Sequence, residues 1–572
     1  MSFRSLRTLL ALGLLFAATG ITPASSAVKA GAACTHVKEI RIVSGYKYTC
    51  IKSGKKLVWS KGVKVVVAKP TPTPTPSPSP TPTPTPSSSP STPTAIGDPI
   101  GSIGGTNNGS AGQGTSPTQQ QQMPPDTEFL YGRRIGMNCS TNGVFGFTGG
   151  MLAVCKDKRV VYALESDLPA TPAGGYKSRP RWYPSLAQQF GKMAEPTCSP
   201  SSIKFTSPVI PLDSMAPSVP YGAMIGGHVT PIDHAYLGVM PLYKDAATRT
   251  EADYVPITSP TSGVITEIGN LGSPTSIRVV IDHGCDVATV YMVLNRLSGV
   301  LAPYAEELKS SGASKSVRIA VKAGEEFGRQ RDNMLDFNVW DGTQWLSGFA
   351  NPFSYTSGEA WKPFTADPLP FFTDSIRAVM ESNMQKTTSP RFGKIDYDIP
   401  GTASGSWFLD GTFGYSGRML SEIVNATSEL MGGQVQNKNE VDWSHLAIAP
   451  HEVDSTQWIF STGWWKDPAG DPHQFMFNLE NGKTAPDKLT FSSGMVVYQL
   501  VDYSVLEPAG SPIRLVGNTP FAVGYTLSLG MPRGVVALQV NSDGSLRVEV
   551  NTTMTKVEDF TAFTSARRIY RH

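Results

Sequence analysis

Charge is scarce in this sequence, and so are long apolar runs. Asp, Glu, Lys and Arg make up 17% of its 572 residues. The formal net charge of +3 reads as thinly spread, without a basic stripe, which argues against a nucleic-acid partner. The longest apolar run, Leu9 to Ile21, is too short to span a bilayer, and no later run is long enough either. None of the six cysteines falls in a C-x-x-C pair, which argues against zinc ribbons and thioredoxin chemistry. There is no G-x-S-x-G elbow and no Walker loop.

What is present begins with an export signal. Arg4 and Arg7 precede the apolar run, and small residues follow to Ala27. This predicts a signal peptide over 1–27, cleaved after Ala27, with no membrane span in the mature chain. The even number of cysteines suits the oxidising compartment beyond the membrane.

The mature sequence divides by composition. Residues 28–68 read as a small disulfide-hairpin module. Residues 69–126 are almost pure Pro, Thr and Ser and then Gly, Ser and Gln, which predicts a disordered linker, extended where proline-rich. Residues 127–199 hold a second disulfide hairpin and a lead-in. Cys34 to Cys50 spans 16 positions and so does Cys139 to Cys155; at the same offset of 105, Gly31 matches Gly136 and Gly45 matches Gly150. This is an internal repeat, each copy stapled by its own bridge. Cys198 and Cys285 remain as the third pair. Residues 366–389 include a helical period, and 390–572 read as strands, forming a C-terminal β-rich domain.

Residues 200–365 carry the informative motifs. Val255 to Asn270 reads VPITSPTSGVITEIGN, Ser276 to Ser298 reads SIRVVIDHGCDVATVYMVLNRLS, and Val317 to Gly342 reads VRIAVKAGEEFGRQRDNMLDFNVWDG; upstream lies GGHVTPIDHAYLG (Gly226 to Gly238). This resembles the lysostaphin-type (LytM-like) zinc endopeptidases, which cleave peptidoglycan cross-bridges. The N-terminal module also resembles short Cys-pair modules of exported actinobacterial proteins. The first resemblance implies a mainly β, lysostaphin-like (duplicated hybrid motif) domain, a zinc ion, and peptidoglycan or another cell-wall polymer as partner.

The departures fall on the chemistry. The family's H-x-H reads Met334-Leu335-Asp336 here, and the His of its Y-x-H-L is Val293. Those two His positions activate water and stabilise the oxyanion in the family; Met and Val can do neither. No residue is therefore assigned as catalytic. A metal set of His228, His234 and Asp336 is one reading, with His228 and His234 on one face if their segment is extended. The other reading has both His bonded to loop backbone and Asp336 capping a turn. Asp282-His283 matches a position that is structural in the family. Asp396 and Asp398 read as a turn opening the last block, or as a calcium or glycan site. Trp458, Trp464 and Trp465 read as core aromatics, or as a sugar platform. Three functions follow: a non-cleaving envelope protein that docks on the wall, an active zinc-dependent peptidoglycan hydrolase, or a structural surface protein.

Overall fold

The computed structural model describes residues 30–34, 40–43, 46–64, 130, 132–172, 174–190, 198–225, 228–310, 312–430, 443–463, 473–480, 482–507, 515–516 and 519–572. The expected signal segment 1–27, the linker 69–126, and Trp464 and Trp465 lie outside them. The chain forms two compact units, 1–93 and 94–572. It is mainly β, and no helix among the described residues is long and apolar enough to cross a membrane.

The two Cys-pair hairpins share one architecture down to the backbone hydrogen bonds. In the first, β1 (Ile40–Val43), β2 (Tyr46–Ser53) and β3 (Lys56–Trp59) form an antiparallel sheet. In the second, β4 (Phe145–Thr148), β5 (Met151–Lys156) and β6 (Arg159–Tyr162) do the same. Ile40 pairs with Thr49 as Phe145 pairs with Val154, so the offset of 105 holds residue by residue across the first two strands. Gly31 N–H donates to the Trp59 carbonyl as Gly136 N–H does to Val160, and both glycines are left-handed, at φ +81° and +86°. Disulfides join Cys34–Cys50, Cys139–Cys155 and Cys198–Cys285.

The second unit has two larger β assemblies. One is a seven-stranded antiparallel sheet from β7 (Met215–Val219), β8 (Ala235–Val239), β9 (Gly263–Ser273), β10 (Ser276–Asp282), β11 (Val287–Leu294), β12 (Ser314–Val321) and β13 (Leu335–Asp341). Its spatial order is β12-β9-β10-β11-β13-β8-β7. The central strands SIRVVID and VATVYMVL are rich in β-branched residues and buried on both faces, which accounts for their apolar runs. One face carries Ile265, Ile277, Leu294 and Phe337 and joins Phe327 in one apolar core. The other, carrying Val280, Ala288, Val290 and Trp340, is covered by the second hairpin, by helix α1 (Leu186–Phe190) and by Phe353, Trp361 and Phe364.

After helix α2 (Asp374–Asn383) the chain forms a closed eight-stranded antiparallel barrel. Its strands are Gly405–Leu409, His445–Pro450, Trp458–Thr462, His473–Phe477, Val496–Leu506, Thr526–Val540, Leu546–Asn551 and Arg568–Arg571. Closure leaves no open sheet edge, and Trp407, Phe460, Phe477, Tyr498 and Tyr570 form its core. Trp458 packs against that core as a partly buried residue. Asp396 and Asp398 are structural: their carboxylates accept the N–H groups of Gly348 (2.9 Å), Ala350 (2.9 Å) and Ser406 (2.8 Å), tying the barrel entry to the loop after β13.

Candidate functional site

Strand alternation sends Asp336, Asn338 and Trp340 from β13 to the covered face of the seven-stranded sheet. Val290 and Met292 of β11 and Arg278 of β10 join them around a cavity of about 80 Å³. His228, Ile232, Asp233 and His234 close one side, and Glu359, Trp361 and Lys362 another. The segment 228–234 is a run of bends rather than a strand, and β8 starts only at Ala235. His228 and His234 therefore do not share a strand face. Pro231 and the bends let His228, Asp233 and His234 all line the cavity.

His234 stands between two carboxylates. Its Nδ1 lies 3.2 Å from Asp233 Oδ1, and its Nε2 lies 3.5 Å from Asp336 Oδ2. Asp233 Oδ2 also accepts the Trp361 indole N–H (2.6 Å) and an Asn338 amide N–H (2.9 Å). The His228 ring meets the His234 ring edge-on, with centroids 5.4 Å apart. Behind them Lys362 and Glu359 form a buried ion pair at 2.6 Å, and Lys362 Nζ lies 4.8 Å from the centre of the Tyr415 ring. Arg278 pairs with Glu267 on the neighbouring strand.

These environments set the charges. Burial pushes the Asp336 carboxyl up to about 7, with His234 opposing. Burial would also raise Asp233, but its bond to His234, the charges of His234 and Lys362 and the Trp361 N–H hold it at about 2. Burial alone would lower His234; the Asp336 and Asp233 carboxylates reverse this and raise it. His228 falls to about 3 through desolvation and the neighbouring His234 and Lys362.

Val293 and Met334 are held through their backbone carbonyls. Val293 adopts φ +56°, a left-handed conformation that β-branched residues rarely take, at an irregularity in the β10–β11 pairing. The fully buried Gln330 amide donates to the carbonyls of Val293 (3.1 Å), Asn333 (2.9 Å) and Met334 (3.1 Å). One side chain thus fixes both segments, and the surroundings impose the strain.

The residues do not fit zinc as they stand. Zinc bonds of 2.0–2.1 Å in tetrahedral geometry put donors roughly 3.4 Å apart, and His234 and Asp336 meet that spacing. Among the described residues, however, no group of three or more His, Cys, Asp or Glu side chains forms a metal site. Asp233 is committed to Trp361, Asn338 and His234. The arrangement is that of a buried, internally neutralised ion-pair chain.

His283 bonds through Nδ1 to the Ser262 carbonyl (3.0 Å) and through Nε2 to the Thr289 hydroxyl (2.8 Å), a structural role. Sequence reasoning missed Asn338, Glu359, Trp361, Lys362 and Gln330. The Asp-x-Asn alternation on β13 and the E-x-x-K spacing were the available signals. A second, larger cleft of about 440 Å³ is lined by Ser199, Ser201, Lys204, Asp341, Gln344, Asp367 and Phe371 among others.

No family model matches this chain, and no curated protein matches it. Among solved structures, Csd3 of Helicobacter pylori, from a hexagonal crystal, is 16% identical over 40% of this chain and 46% of that chain, with a TM-score of 0.15. The chain thus spans less than half of that protein, and so low a score carries no argument about fold or chemistry.

Proposed function

We propose that this is an exported cell-envelope protein that keeps a lysostaphin-like frame without its hydrolytic machinery, and that it binds peptidoglycan or another wall component without cleaving it. The observation that supports this reading is a pair of replaced side chains, Val293 at the cavity and Met334 in the neighbouring apolar core. Met334 and Val293 stand where the family it resembles places its two working His residues, and neither can move a proton or bear charge. His234 and Asp336 offset each other's charge. A cavity of about 80 Å³ holds a few waters and leaves no room for a peptide chain across the sheet, whose face Phe190 and Trp361 cover. All six cysteines are in disulfides, which fits an extracytoplasmic compartment.

Binding then falls to the open 440 Å³ cleft, where hydroxyl, amide and charged groups surround the Phe371 ring, a composition suited to sugar and peptide. The test is sedimentation of the full chain with purified peptidoglycan freed of anionic polymers. Retention that drops in the exposed double variant Lys204→Ala, Gln344→Ala supports the reading; no retention overturns it. The active zinc hydrolase is the second reading, favoured because His228, His234 and Asp336 do line one cavity. Zinc-dependent turnover of a cross-linked peptide, lost in Asp336→Ala, would establish it. A structural surface protein would show neither property.

A further inference from the structure

The net charge of +3 is not thinly spread; it is the residue of two opposed charges. Nine of the chain's 49 Lys and Arg residues and one of its 46 Asp and Glu residues fall within 28–68, a net +8 over 41 positions. Setting aside Arg4 and Arg7 of the signal segment, 38 bases and 45 acids remain in 69–572, a net −7. The stretch 70–122 holds a single charged residue, Asp98, so the positive charge stands apart in the sequence.

The fold places three of those nine bases on a finger. The two hairpin modules are equivalent, yet Cys50 pairs with Trp59 where Cys155 pairs with Val160. The first module's β2–β3 arm is therefore four residues longer. The longer arm carries Lys52, Lys55 and Lys56, all exposed, and Lys61 follows it, also exposed. Lys52 lies opposite Leu57 and Lys56 opposite Ser53, so the two lysines project from opposite faces of the ribbon, with Lys55 at its turn. Trp59 and the Cys34–Cys50 bond hold the base of the arm. None of these four lysines pairs with a carboxylate among the described residues.

We propose that this module is a binding site for a linear, flexible phosphate-bearing polyanion of the cell envelope. Charge on both faces and at the tip suits a chain that lies along or around the finger; a flat anionic membrane would meet only one side. The disulfides fit an oxidising compartment, which favours an envelope polymer over nucleic acid.

The test uses the full chain with inorganic polyphosphate as the probe, followed by fluorescence anisotropy. About four phosphate contacts predict a loss of affinity of roughly fifty-fold between 50 and 200 mM salt. The exposed triple variant Lys52→Gln, Lys55→Gln, Lys56→Gln should weaken binding at least tenfold and flatten the salt slope by about two. The matched triple variant Lys156→Gln, Lys158→Gln, Arg159→Gln in the second module should bind as the unaltered chain does. Equal binding by the first triple variant would overturn the proposal. So would tighter binding to phosphatidylglycerol vesicles or to duplex DNA at the same phosphate concentration and salt.

Discussion

Asp233 does the most at the residue scale. Its two oxygens satisfy an indole, an amide and an imidazole, all within a buried site. Asp233→Ala should leave those donors unpaired and cost about 3 kcal/mol in denaturant unfolding; a loss under about 1 kcal/mol would mean the network is not formed. His283 gives a pH test away from the cavity. Burial lowers it to about 4, against 6.5 when unfolded, although its bond to Ser262 opposes the shift. Between pH 6.5 and 4 the unfolded chain binds more protons, so stability present above pH 6.5 is lost as the pH falls. His283→Gln should flatten that limb by about 1–3 kcal/mol, seen as melting temperature against pH. The sequence offered His228, His234 and Asp336 as a set in only one of two readings; the fold, not a motif spacing, brings them to one cavity. The sequence could not show that Trp361 and Lys362 close the site, because their pairing with residues about 130 positions away has no local pattern.

At the scale of elements, the second hairpin is a docked part of the body. Tyr162 Oη accepts the Leu430 N–H (2.6 Å) and donates to the Leu430 carbonyl (2.9 Å), and Thr148 bonds to Glu429. A Cβ on Gly136 would stand 2.8 Å from the Thr427 carbonyl oxygen, and one on Gly149 would stand 2.7 Å from that of Leu430. Both glycines are also left-handed. Gly149→Ala should therefore destabilise the body by about 1–3 kcal/mol, whereas Gly54→Ala, at a turn with open space, should leave the body's transition unmoved. The disulfides sort the same way. Cys198–Cys285 closes 87 positions and is worth about 4–5 kcal/mol in the chain-entropy account; Cys139–Cys155 closes 16 and is worth about 3. Replacing either pair with Ser should lower the main melting transition. Replacing Cys34 and Cys50, in the other compact unit, should not. These elements were legible because matched cysteines and glycines fix a hairpin by local rules. The closure of the last eight strands into a barrel was not, because closure depends on pairing the first with the last, about 160 residues on.

At the scale of the whole molecule, a cationic module and a net-negative β body share one chain, and the function proposed for it is binding without cleavage. That absence of catalysis is the central claim. It is tested by incubating the purified full-length protein with a cross-linked peptidoglycan peptide, with and without added zinc, and following cleavage by mass spectrometry. Loss of one oxyanion or acid–base group commonly costs about 10²- to 10³-fold, and here both positions are replaced. The account predicts no turnover above the uncatalysed background in either condition. Zinc-dependent cleavage that disappears in Asp336→Ala would contradict it.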